Sequence, residues 1–280
     1  MINCFFVSDL HGSESRYHTL FQEIENIQPA IVFMGGDLFP NQYASEGDFL
    51  YDFLVPGFQK LKDKLKDQYP YVLLILGNDD PRIEEEKIKQ IQHDKHLWDY
   101  IHQRKVTLFG YDIYGYSFIP PSPFALKDWE KYDVSRFVDP GCIAPTEGIR
   151  SVNPDYNPEF SNIKNDLHEL TTSSNLTRSV FLFHTPPYDT PLDRAALDGK
   201  MIDFVPLDVH IGSIAVQRFI EERQPLLTLH GHVHEASDIT DSWNVHLGKT
   251  LAVSAAWNKK ELALVEFDLE NPHKINRRLL

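Results

Sequence analysis

Apolar residues along this chain fall into two alternating rhythms. Ile2–Val7 is a short β-branched and aromatic run that predicts a strand, and Tyr17, Leu20, Phe21, Ile24 and Ile27 keep the spacing of a helix face. Ala30–Met34 predicts a second strand. Phe49, Leu50, Phe53, Leu54, Leu61 and Leu65 predict a second helical region, with Pro56-Gly57 placed to break or kink it. Tyr71–Leu76 is nearly all apolar, as in a strand covered on both faces, and a helix bearing Ile83, Ile88 and Ile91 follows Pro81. Strand and helix in alternation predict an α/β layered fold with some parallel pairing.

The second half has a different texture. Val106–Phe109 and Ile113–Phe118 read as strands that Gly110-Tyr111-Asp112 could join as a hairpin. Residues 120–160 are rich in Pro, Asp and aromatics without periodicity, and a connection that long is usually a functional loop or cap. Its Trp129, Tyr132, Phe137 and Tyr156 either border a cleft and limit substrate size or pack on a sheet edge; the residues leave both open. A helix over Asn162–Leu170, a strand over Ser179–Phe183, a helix around Ile214–Ile220 and a strand over Pro225–Leu229 follow, and two or three strands, Leu251–Ala255 and Leu262–Phe267 among them, close the chain.

Composition adds bounds to this picture. With 280 residues, 42% of them hydrophobic and 24% charged, the chain reads as one domain over residues 1–280 with an insertion at about 120–160. A formal charge of −14 argues against a general nucleic-acid binder, although bound cations would invert the potential of an acidic cleft. Cys4 and Cys142 form no disulfide framework and no zinc spacing. No basic n-region opens the chain and no apolar run reaches membrane-spanning length, so the expectation is a cytoplasmic protein without a membrane partner.

The chemistry sits where the strands stop. Five apolar runs end in DLHG, GGD, GNDD, FHTPP and HGHVH, and side chains beyond strand ends converge in α/β sheets. Carboxylate and imidazole without thiolate suit Mn²⁺, Fe, Co²⁺ or Zn²⁺ at a catalytic site rather than a structural zinc cage. DxH or GD alone is a common chance string; five such pieces in order, each at a strand end, are not. His18, His93, His96, His102 and His168 lie in helical, charged surroundings, His230 alternates into the core, and nothing in the sequence places His210 or His246 near the pocket.

From Asp9 to His234 these segments resemble the calcineurin-like metallophosphoesterase superfamily, whose pattern runs DxH, GD, GNH followed by Asp or Glu, an isolated His, and GHxH. The resemblance is to its bacterial and archaeal phosphoesterase-like branch. It implies a four-layer α-β-β-α sandwich of two mixed sheets flanked by helices. It places Asp9, His11 and His234 on one metal, Asn78, His184 and His232 on a second, and Asp37 between them. The implied cofactors are two divalent ions, Mn²⁺ first, with Fe, Zn, Co or Ni as alternatives. The implied reaction is hydrolysis of a phosphomonoester or phosphodiester by a metal-bridging hydroxide.

One position departs from that pattern. Asp79 stands where the superfamily has a histidine that meets phosphate and the leaving group. Asp79 itself, its pKa raised by burial or by Asp80, is the candidate catalytic residue; otherwise a histidine from elsewhere serves, or a good leaving group needs no acid. The alternative function is a catalytically weak or inactive scaffold of the same fold. No GxSxG, GxGxxG or GxxxxGK[ST] occurs, which disfavours a serine hydrolase or nucleotide-binding module. The expected partner is a phosphate-ester substrate, with a homo-oligomer left open.

Overall fold

In the computed structural model, which describes residues 1–40, 47–172 and 174–280, two six-stranded sheets lie back to back. In the first, β1 (Asn3–Val7), β2 (Ile31–Gly35), β3 (Tyr71–Ile75) and β4 (Asp99–Tyr100) run parallel. The antiparallel strands β13 (Ala263–Asp268) and β14 (Asn271–Leu279) extend it from β1. The second sheet has the order β11 (Asn244–Leu247), β12 (Thr250–Ser254), β10 (Leu227–His230), β7 (Ser179–Phe183), β6 (Tyr111–Tyr116), β5 (Arg104–Leu108). Its four central strands are parallel and its two edges antiparallel.

Strand alternation explains the layering. Cys4, Phe6, Phe33, Ile75, Leu182 and Leu229 belong to one buried cluster between the sheets. Their sequence neighbours Phe5, Val7, Val32 and Leu74 join Tyr17, Leu20 and Ile24 of α1 (Glu14–Ile27), Phe58 and Leu61 of α2 (Val55–Leu65) and Ile88 and Ile91 of α3 (Glu84–Lys95). On the far side, Phe181 and Phe183 meet Phe219 of α5 (Ile214–Arg223), beside α4 (Ile163–Leu170). Sheets covered on both faces need apolar residues at every strand position, which is why these runs are continuous rather than alternating. Each fully buried Leu or Phe here contributes about 1.5–3 kcal/mol. The α-β-β-α sandwich is therefore observed as expected, and no helix among the described residues is long and apolar enough to cross a membrane.

Several local expectations are corrected. Pro56 does not end its helix: Leu50–Leu54 wind as a π-helix directly into α2, so the wide turn falls just before the proline, whose ring and missing N–H suit a regular α-turn poorly. The β5–β6 hairpin turns at Phe109-Gly110, with φ of 52° and 76°, because Leu108 pairs with Tyr111. His102 is not on a helix. It follows β4, is buried beside Phe118 and Trp129, and accepts the Ser117 N–H at Nδ1 (3.0 Å); burial holds its pKa well below the usual value.

Residues 120–160 are ordered without forming regular layers. Lys127, fully buried, donates to Glu130 Oε2 (2.6 Å) and Ser122 O (2.8 Å). Asp128 accepts the Arg82 N–H, and Asp133 accepts from Ser213 Oγ and Ile214 N at the start of α5. Of the four aromatics, Trp129 and Tyr132 are buried and Tyr156 packs against the core; Trp129 donates to the Asp80 carbonyl (2.8 Å). Phe137 is the exposed one, at 70%.

Candidate metal centre

The strand registers bring the polar tails together. Val7 pairs with Met34 and Gly35 with Ile75, so Asp9, Asp37 and Asn78 emerge side by side; Leu182 pairs with Leu229, which does the same for His184 and His232. Asp9, His11, Asp37 and His232 all adopt positive φ (57°, 45°, 50° and 73°), which is uncommon for such residues and turns each side chain sharply off its strand. Glycine supplies room at two close approaches. A Cβ on Gly77 would collide with Asp37 Oδ1, and one on Gly231 with Ser8 Oγ and Asp9 Oδ2.

Two groups of ligating atoms result. His11 Nε2 lies 3.1 Å from His234 Nε2, which lies 3.1 Å from Asp9 Oδ1. His184 Nε2 lies 2.9 Å from Asn78 Oδ1 and 3.3 Å from Asp37 Oδ2, and Asp37 Oδ2 is 3.8 Å from His11 Nε2. One atom from each of Asp9, His11, Asp37 and His234 falls within 4.8 Å of all the others. The His232 ring centroid is 5.3 Å from that of His184. All seven expected ligands therefore meet in one place.

These spacings fit a divalent ion. Ligands about 2.1 Å from a metal, at tetrahedral or octahedral angles, sit about 3.0–3.4 Å from one another. Electrostatics point the same way. Burial works against the charged form of His184, yet Asp37, with its hydrogen bond and charge, and Asp9 push its pKa up to about 10. Burial likewise opposes the charge on His234, and Asp9 raises it. Asp9 and Asp37 are held below the usual carboxylate range despite burial, by His234 and His184 respectively. Burial and the charge on His184 push His232 down to about 3. Without ions the carboxylates are thus balanced by protons on imidazoles, and protons so held are the ones that a metal displaces.

Neighbouring groups fix the orientation of the cluster. His184 Nδ1 donates to Gly35 O (2.8 Å), leaving Nε2 for the site. The His232 N–H donates to both oxygens of Asp9, and the Asp79 N–H to Asp37 Oδ1 (2.8 Å), which leaves Asp37 Oδ2 free. Asp79 also accepts from Asn78 Nδ2 (2.8 Å), so it turns Asn78 Oδ1 towards His184. Burial and Asp37 raise the pKa of Asp79, whose side chain is 45% exposed.

Asp80 has a different place from the one expected. Fully buried, it accepts from Leu38 N and Phe39 N (both 2.8 Å) at Oδ1 and Gly77 N (2.9 Å) at Oδ2, tying the loop of Asp37 to that of Asn78. Burial and Asp37 push its pKa up to about 8 against those three amides.

Asp37, Asn78, Asp79, His232 and His234 line one end of a cavity of about 470 Å³. Val233, Glu235 and residues from 120–142 and 188–214 form the rest of its wall. The second segment includes a small hairpin of β8 (Met201–Ile202) and β9 (Val205–Pro206), and no apolar period announced it. His210 lines the cavity too, with Nδ1 2.7 Å from Asp193 Oδ1. The one sequence sign of that pair was a histidine and an aspartate in the same non-periodic stretch.

The sequence model of the calcineurin-like phosphoesterases matches residues 2–236. No curated protein matches significantly. Among solved structures, TT1561 of Thermus thermophilus is 17% identical with a TM-score of 0.56, covering 99% of this chain and 98% of its own. A dimetal phosphatase from Danio rerio is 11% identical with a TM-score of 0.54, covering 95% and 91%. An archaeal phosphodiesterase is 10% identical with a TM-score of 0.50, covering 99% of each. At such identities the likeness is one of fold.

Proposed function

The chain belongs to the calcineurin-like phosphoesterase family, and from that premise we propose that it is a binuclear metal-dependent hydrolase of phosphomonoesters or phosphodiesters. The observation that carries this reading is the position of Asp37 Oδ2, 3.3 Å from His184 Nε2 and 3.8 Å from His11 Nε2, between the two groups of ligating atoms. Asp9, His11 and His234 would hold one ion, Asn78, His184 and His232 the other, with Asp37 shared; Mn²⁺ is the first ion to try. When bound, two such ions acidify a water and withdraw charge from the phosphoryl oxygens.

The chain's own part is orientation. Gly35 O fixes the His184 tautomer, and the His232 amide holds Asp9. Asp79 sets the Asn78 amide, a role in which it needs no proton to give.

Metal analysis and ester hydrolysis test the proposal together. The expected result is two ions per chain and turnover of mono- or diester substrates with Mn²⁺, with turnover lost and bound metal reduced in Asp37→Ala. A protein that keeps its ions and hydrolyses no ester would instead be the scaffold.

A further inference from the structure

The cavity beyond the metal-ligating side chains is built unlike them. Phe124, Phe137, Leu197, Ile202, Leu207 and Ile211 line it, and its volume of about 470 Å³ is that of a small-molecule site. Phe124, Phe137 and Ile202 are 54%, 70% and 40% exposed, so apolar surface continues to the rim. Phosphate alone has no use for such a wall. A ligand that spans both ends needs a phosphoryl group at one and a hydrophobic group at the other.

His210 gives this apolar half a proton-carrying atom. Asp193, with no exposed surface, accepts the amides of Asp189, Thr190 and Gly212. A carboxylate so occupied can only accept from the imidazole, so His210 Nδ1 is the protonated nitrogen and Nε2 is the atom left to exchange a proton. Three acidic groups lie around His210: Asp193, Asp189 at 3.6 Å from Nε2, and Asp208, which accepts the His210 amide and the Tyr188 hydroxyl; Arg194, paired with His210 across an antiparallel bridge, turns its guanidinium to Ala195 O and Asp198. Tyr188 stacks edge-on at 5.9 Å.

We infer that this cavity is the leaving-group pocket, shaped for a phosphoester whose alcohol is hydrophobic, and that His210, positioned by Asp193, protonates that alcohol as it leaves. The inference rests on the phosphoesterase reading. Water adds to phosphorus and gives a proton to solvent while the bond from phosphorus to the alcohol oxygen breaks. The departing alkoxide takes the Nε2 proton of the His210 imidazolium. Alcohol and neutral imidazole result, and solvent recharges the ring. Asp79, hydrogen-bonded to Asn78, is then not required as the acid.

Methyl-, butyl- and octylphosphonate, whose P–C bond cannot hydrolyse, test the pocket without turnover. Calorimetry on the Mn²⁺-loaded protein is expected to show Kd falling about fourfold per buried methylene. Phe137→Ser with Ile202→Ser, both exposed sites, should flatten the series and leave the methylphosphonate Kd alone. Equal Kd values across the wild-type series would overturn the pocket's assignment. For the acid, His210→Gln should slow hydrolysis of an octyl phosphate ester about 10²–10⁴-fold while changing the 4-nitrophenyl ester less than about threefold. Equal losses on both esters, or no loss on the octyl ester, would remove His210 from proton transfer. If the wild type hydrolyses neither ester while binding still follows chain length, the phosphoesterase reading and the acid role both fail and the hydrophobic ligand class stands.

Discussion

The two walls of the cavity are built by opposite means. On the strand-end wall, Asp37 and Asn78, with Asp9 and His184 behind them, are buried and leave their strands within three residues, each held by a hydrogen-bond partner. The facing wall, from 120–142 and 188–214, is mainly apolar with Asp133, Asp139 and Asp208 set into it, and it is held by single carboxylates that reach across the chain: Asp133 to α5, Asp193 to the loop of His210. The first wall can hold a fixed geometry because the ladder hydrogen bonds of two sheets set it. The second can differ in shape without disturbing the first.

The sharpest way to break this contrast is at Asp37, whose loss should slow every ester whatever its leaving group. Asp37→Ala is expected to lower ester turnover by at least about 10³ and reduce bound metal, while far-ultraviolet circular dichroism stays the same. Retained turnover would show that the strand-end wall is not the reacting one.

Next in size is Asp80, which touches nothing in the cavity but joins two loops of the strand-end wall. Asp80→Ala strands the buried amides of Leu38, Phe39 and Gly77 and should cost about 3–5 kcal/mol in urea unfolding. Asp80→Asn keeps an acceptor oxygen and should cost less. A loss below about 1 kcal/mol in Asp80→Ala would mean that the loops hold each other without it.

These two walls also divide what the sequence made legible. Strand ends could be read because an apolar run stops abruptly at Gly36-Asp37 or Gly77-Asn78, a one-dimensional signal. The facing wall could not, because contacts such as Ser213 Oγ to Asp133, 80 residues apart, leave no period. For the same reason Trp129, expected near the cleft or on a sheet edge, turned out to serve the core, and Asp80 could not be told from Asp79 beside it: only the fold shows that one carboxylate faces three amides and the other faces Asn78.

A pH titration sharpens the electrostatic side of the comparison. In the metal-free protein His184 has its pKa raised from 6.5 to about 10, so its contribution to stability is complete below 6.5 and lost as pH rises through 10. A metal must displace that proton, so apparent Mn²⁺ affinity should rise about tenfold per pH unit from 6.5 towards 10 for each proton released. Calorimetry in buffers of different ionisation enthalpy reads the released proton directly. An affinity independent of pH over that range would mean that His184 carries no proton for the metal to displace.

The smallest effect is expected where the sequence departs most visibly from its family. Asp79 is exposed on the cavity side, but its carboxylate already accepts from Asn78 Nδ2 and sets that amide towards His184. If the leaving-group proton comes from the facing wall, a histidine at 79 adds an acid where one is not needed and removes a carboxylate that orients a ligand. Asp79→His should therefore change kcat on an alkyl phosphate ester by less than about threefold and weaken metal binding slightly. A rise in kcat of about tenfold or more, largest for poor leaving groups, would show the opposite. The strand-end wall would then be short of an acid, and the two walls would not divide the work as their construction suggests.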